Sequence, residues 1–202
     1  MKKTYLSVLL LVFVLVLAAT AGVVYAKYIR TFEQTVNVTV TADLAESVAL
    51  YESQAVKKDD GSYSLNSESR VTQNTYTLLP GLDVPKDPTI EIVGKTNVPA
   101  YLYIEVVDKL NASIAYTLKS EWLDISVTGK NGGKVYVYAK DGVPVKLQSF
   151  DKLTIGILED NKLIISDSLP RDTEVSLTFH AYMAQVDNDR APKEVFESNF
   201  KS

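Results

Sequence analysis

The chain has 202 residues, no cysteine, a single histidine and a formal net charge of −4. Lacking thiols, it has no disulfide framework, thiolate metal site, cysteine nucleophile or lipid-anchoring cysteine. Its acidic balance argues against nucleic acid and against anionic membrane surfaces as partners.

In chain order, Lys2 and Lys3 give a positive start, and an uncharged run from Thr4 closes on Val24-Tyr25-Ala26. This pattern predicts an N-terminal signal helix, a secretory signal peptide over 1–26 cut between Ala26 and Lys27. The uncharged run is also long enough to cross roughly 30 Å of hydrocarbon, so a retained anchor is the competing reading. Against the anchor, the densest apolar stretch, Val8–Ala19, has only h-region length, and no basic stop-transfer cluster follows. Removing the leader takes away Lys2 and Lys3 and moves the charge from −4 to −6. Residues 27–202 then suit one secreted β domain, in contact with the membrane only before cleavage. The C-terminus shows neither a sorting signal nor a basic tail.

Val36, Val38, Val40, Ala42 and Leu44 alternate with polar partners, which is the period of a half-buried strand. Two more clear alternations follow, Ala100–Val107 and Val175–Met183. Shorter candidates are Arg70–Leu78, Thr89–Val93, Leu123–Thr128, Lys134–Ala139, Leu153–Leu158 and Lys162–Ser166. Turn residues separate them, above all Lys130-Asn131-Gly132-Gly133, which predicts a hairpin. The polar stretch Lys57–Ser69 reads as a mobile loop. Ala191–Phe200 reads as a short helix, with Pro192 in its first turn. The fold class expected is all-β: an antiparallel β-sandwich of jelly-roll type with a short C-terminal helix.

The residues for chemistry are sparse. A catalytic triad or a multi-histidine metal site cannot be assembled around His180 alone, and mid-strand on the polar side it reads as solvent-facing. Asp187-Asn188-Asp189 and Asp59-Asp60 offer oxygen ligands for calcium but too few for a cage. Tyr101 and Tyr103, Tyr136 and Tyr138, and Tyr182 suggest a sticky exterior, if they are not simply good strand formers. The expectation is no catalytic residue, no cofactor and no metal.

Three stretches carry a resemblance. They are the leader ending Ala21-Gly22-Val23-Val24-Tyr25-Ala26-Lys27-Tyr28; then Leu79-Pro80-Gly81 with Lys86-Asp87-Pro88 and Asn97-Val98-Pro99-Ala100-Tyr101; and Phe179-His180-Ala181-Tyr182-Met183-Ala184-Gln185-Val186-Asp187 before a short helix. In that order the chain resembles the TasA/camelysin family of secreted matrix and surface proteins. The leader is similar to those processed by a SipW-type signal peptidase of Gram-positive bacteria, although it lacks the usual Gly-Gly-Thr. The resemblance implies a jelly-roll subunit of extracellular biofilm fibres, a homopolymer that also meets other matrix proteins or polysaccharide. It further implies that residues 27–44 form a donor strand completing a neighbour's sheet. The residues by themselves leave open whether Val36–Leu44 pairs within its own domain or with another copy. A camelysin-like metallopeptidase and a monomeric carbohydrate-binding surface module are the alternatives.

Overall fold

The computed structural model describes residues 30–33, 36–40, 48–93, 99–148, 152–169, 175–186 and 189–200. These form β1 (Arg30–Glu33), β2 (Val36–Val40), β3 (Val48–Lys57), β4 (Tyr63–Val71), β5 (Thr75–Leu78), β6 (Val84–Pro85), β7 (Thr89–Val93) and β8 (Ala100–Lys109). There follow β9 (Ile114–Ala115), β10 (Trp122–Thr128), β11 (Lys134–Lys140), β12 (Val143–Pro144), β13 (Lys152–Gly156), β14 (Lys162–Ile165), β15 (Ser176–Gln185) and helix α1 (Pro192–Phe200). The architecture is mostly β, with antiparallel sheets and one short C-terminal helix, as the alternation predicts.

The largest sheet runs β10-β11-β8-β15-β1-β5, with β12 added to β11 and β2 to β15. A four-stranded sheet runs β13-β7-β3-β4, and a small one β6-β14-β9. The spine is the antiparallel pair β8/β15, in register from Ala100↔Gln185 to Lys109↔Ser176. Period two then decides the faces. Ala100, Leu102, Ile104 and Val106 of β8 and Leu177, Phe179, Ala181 and Met183 of β15 enter one core. They meet Val48 and Leu50 of β3, Ile90 and Ile92 of β7, and Leu163 and Ile165 of β14. Each large aliphatic or aromatic side chain buried this way contributes about 1.5–3 kcal/mol.

The opposite face of the large sheet is also buried, so Tyr101, Tyr103 and Tyr182 serve there as strand and core residues. Tyr101, Tyr103, Val135, Val137 and Tyr182 form a second core with Val195, Phe196 and Phe200 of α1. The Phe196 ring meets Tyr103 at 5.2 Å and Tyr182 at 5.4 Å between centroids, edge to face. The Tyr103 hydroxyl donates to the Pro192 carbonyl at 2.9 Å. Tyrosine suits such a seat because its ring is apolar while its hydroxyl can still find a partner. Tyr136 and Tyr138 are half-buried against the main core instead.

Two expectations change. Residues 57–69 are not a loop: β4 pairs antiparallel with β3 from Lys57↔Tyr63 to Glu52↔Val71, through a turn with φ +83° at Gly61. An edge strand is held by backbone hydrogen bonds and tolerates polar side chains on both faces, so alternation does not reveal it. Arg70–Leu78 is likewise not one strand but the end of β4 followed by β5. Between them Asn74 turns inward, donating to Ser53 O and accepting from Ala55 N–H, both at 2.8 Å. It serves the register shift of β3 between Ser53 and Gln54. The hairpin at 129–133 joins β10 to β11 as predicted, with Thr128↔Lys134 at its base.

Candidate functional site

The pairing of β1 and β2 bears on the donor-strand expectation. β1 and β2 both run parallel to β15: Glu33↔Ser176, then Phe179↔Val36, Ala181↔Val38 and Met183↔Val40. On its other side β1 pairs antiparallel with β5, from Arg30↔Leu78 to Glu33↔Thr75. The segment thus lies inside the large sheet, and β5 joins that sheet through β1. The predicted donor positions Val36, Val38 and Val40 sit in register with three core-facing residues of β15. Ala42 and Leu44, and the cleavage residues Ala26 and Lys27, lie outside the described residues. Parallel pairing is the unexpected part, and the long stretch of chain between β2 and β15 permits it.

Beside this seam lies a polar cluster on the helix-covered face. Glu105 of β8 is fully buried. Its Oε1 accepts the N–H groups of Asn131 and Gly133, both at 2.9 Å. Its Oε2 accepts Asn131 Nδ2 at 2.8 Å and the Tyr182 hydroxyl at 2.6 Å. A Cβ on Gly133 would stand 2.5 Å from Val106 O, so glycine is needed there for the hairpin to reach the carboxylate. Burial, reinforced by the Glu105 charge, pushes the Tyr182 hydroxyl above its usual range. His180, the register partner of Glu105, is half-buried rather than solvent-facing, which corrects the earlier expectation. Burial holds its imidazole below the usual value, against the pull of Glu105 and with help from Lys130. With four donors on one carboxylate, the cluster fastens the hairpin to β8.

A second buried cluster joins β3 to the segment after β6. Lys86 Nζ lies 2.5 Å from Glu52 Oε2, with both side chains fully buried. Glu52 Oε1 has no hydrogen-bond partner. Next to this pair, Asp87 accepts from Ser53 N–H at 2.9 Å and from Ser53 Oγ at 2.6 Å. In the sequence, Lys86-Asp87-Pro88 stands out only within the resemblance, and Glu52 carries no signal. A lysine flanked by Pro85 and Pro88 gives no sign of its partner, 34 positions away.

Among the described residues, no group of three His, Cys, Asp or Glu side chains could hold a metal ion. Asp189 instead pairs with Lys146 at 2.5 Å, and Asp60 accepts the Ser62 N–H and hydroxyl. Asp187 and Asn188 lie outside the described residues. No helix among the described residues is long and apolar enough to cross a membrane. Comparison with protein-family profiles, with curated proteins and with solved structures finds no match to this chain.

Proposed function

We propose that this chain is an exported structural subunit of TasA/camelysin type, a jelly-roll sandwich that polymerises into extracellular matrix fibres by exchanging its N-terminal strand. The observation that carries this reading is the place of β1 and β2. β1 lies between β15 and β5, and β2 continues along the same edge of β15. Withdrawing that segment leaves one edge of β15 and one of β5 unpaired, and a row of unpaired backbone groups recruits another strand. The same segment from a second copy offers the same residues to the same slot. A head-to-tail contact of that kind does not close, so it propagates. Processing between Ala26 and Lys27 by a SipW-like peptidase frees the segment. The parallel register with β15 selects one alignment, because a one-residue slip exchanges the two faces of the strand. The family assignment itself rests on the three stretches quoted above.

The cysteine-free background makes the test direct. In a Thr31→Cys/Thr77→Cys variant, a disulfide forms across the β1/β5 register pair Thr31↔Thr77. Exchange between copies gives a ladder of covalent oligomers on a non-reducing gel under assembly conditions, dispersed by reductant. A single intramolecularly bridged monomer under every assembly condition overturns the proposal.

A further inference from the structure

We propose that Lys86 and Glu52 become joined by an intramolecular amide between Nζ and the side-chain carboxyl carbon, so that the domain carries a covalent cross-link without cysteine. The inference goes beyond fibre assembly and does not depend on it.

Three observations support it. The reacting groups are in contact, Nζ lying 2.5 Å from Oε2 and both side chains having no exposed surface. Held geometry of this kind replaces a bimolecular encounter and removes its entropic barrier. Next, the carboxylate is poorly served as an ion, because Oε1 has no partner, whereas buried charges persist only when their hydrogen-bonding capacity is filled. Glu105 shows within the same fold what a satisfied buried carboxylate looks like. Finally, the selection of partner is clear. Glu52 attracts Lys86 by charge and by a hydrogen bond, while the next charge, Asp87, is engaged by Ser53. Burial lowers the affinity of Lys86 for its proton and so favours the neutral, nucleophilic amine.

The step balances without any co-reactant. The ammonium passes one proton to the carboxylate, leaving a neutral amine and a neutral acid. The nitrogen lone pair attacks Glu52 Cδ, the C–N bond forms and a C–O bond breaks. The departing oxygen leaves as water with one hydrogen from the acid and one from the amine. Charge is zero before and after. Both side chains are shut away from bulk solvent, which lowers the advantage that hydration gives the separated ions. The amide clamps β3 to the chain that follows β6, closing a loop of 34 positions.

Mass spectrometry decides the matter on the purified full protein. Once its N-terminus is read, the intact mass is expected one water below the sequence value, a deficit of about 18 Da. Trypsin should then fail to cut after Lys86, and one branched peptide should contain both Lys86 and Glu52. Lys86→Met and Glu52→Leu should each restore the full mass. Should either variant not fold, the peptide map of the unaltered chain is sufficient. An intact mass equal to the sequence value, with Lys86 open to acetylation after denaturation, overturns the proposal. Neither outcome bears on whether subunits exchange strands, which the gel reads between chains.

Discussion

At the scale of single residues, Glu105 shows how a buried charge can organise a loop. Its carboxylate takes two backbone N–H groups, an amide and a hydroxyl, so the 129–133 hairpin is pinned over β8 by charge-assisted hydrogen bonds. Replacing it with glutamine turns one acceptor into a donor facing donors. Glu105→Gln is therefore expected to cost about 2–4 kcal/mol, since buried groups are left unsatisfied. Tyr182→Phe removes one of the four bonds to Glu105 and the bond its hydroxyl accepts from Asn131 Nδ2, and should cost about 1–2 kcal/mol. Urea unfolding midpoints of the two variants against the parent check the order. This cluster was hidden in the sequence, because Glu105 sits where alternation expects a solvent-facing residue. Gly132-Gly133 marked the turn, but only the approach of Gly133 to Val106 O explains why glycine stands there.

Among elements, α1 contributes through its seat. The face of the large sheet bearing Tyr101, Tyr103 and Tyr182 would be wet without it, and Phe196 fills the space between two of those rings. Phe196→Ala should cost about 3–5 kcal/mol, the range for deleting a buried phenylalanine. The checks are thermal unfolding and binding of a dye that reports exposed apolar surface, with lower stability and higher dye binding expected. Helix and long strands were readable beforehand: β8, β11 and β15 alternate over seven to ten residues, and Pro192 marks the helix start. The layering was not. A tyrosine on the minor face of an alternating strand serves water and a second core equally well, and only the docked helix decides. Polar β4 failed for the opposite reason, since its backbone carries the pairing.

Across the whole molecule, charge spans the four-stranded sheet. Arg70 of β4 lies over the Tyr51 ring of β3 at 4.1 Å and reaches Glu91 of β7 at 3.1 Å, while Lys152 of β13 meets the same carboxylate at 2.8 Å. Hydrogen bonds from Arg70, then from Lys152, hold the Glu91 carboxyl well below its ordinary 4.5, at about 2. A carboxyl depressed in the folded state adds stability that is complete above the unfolded value. That contribution is lost as pH falls from about 4.5 towards about 2. Urea midpoints measured across this window should decline, and Glu91→Gln should flatten part of that decline. Added salt should weaken the effect, because Arg70 and Lys152 are half-exposed.

The parallel seam between β2 and β15 has a consequence in time. The earlier strand finds its neighbour only after more than a hundred further residues have been made, since Val36 pairs with Phe179. Contacts so distant along the chain form slowly, and the rest of the sheet can assemble ahead of them. A folding chain thus spends an interval with its berth nearly built and its own ribbon unmoored. Under the proposed strand exchange, the ribbon of a second copy would compete for that berth, and local abundance would then tip the balance between solitary and linked molecules.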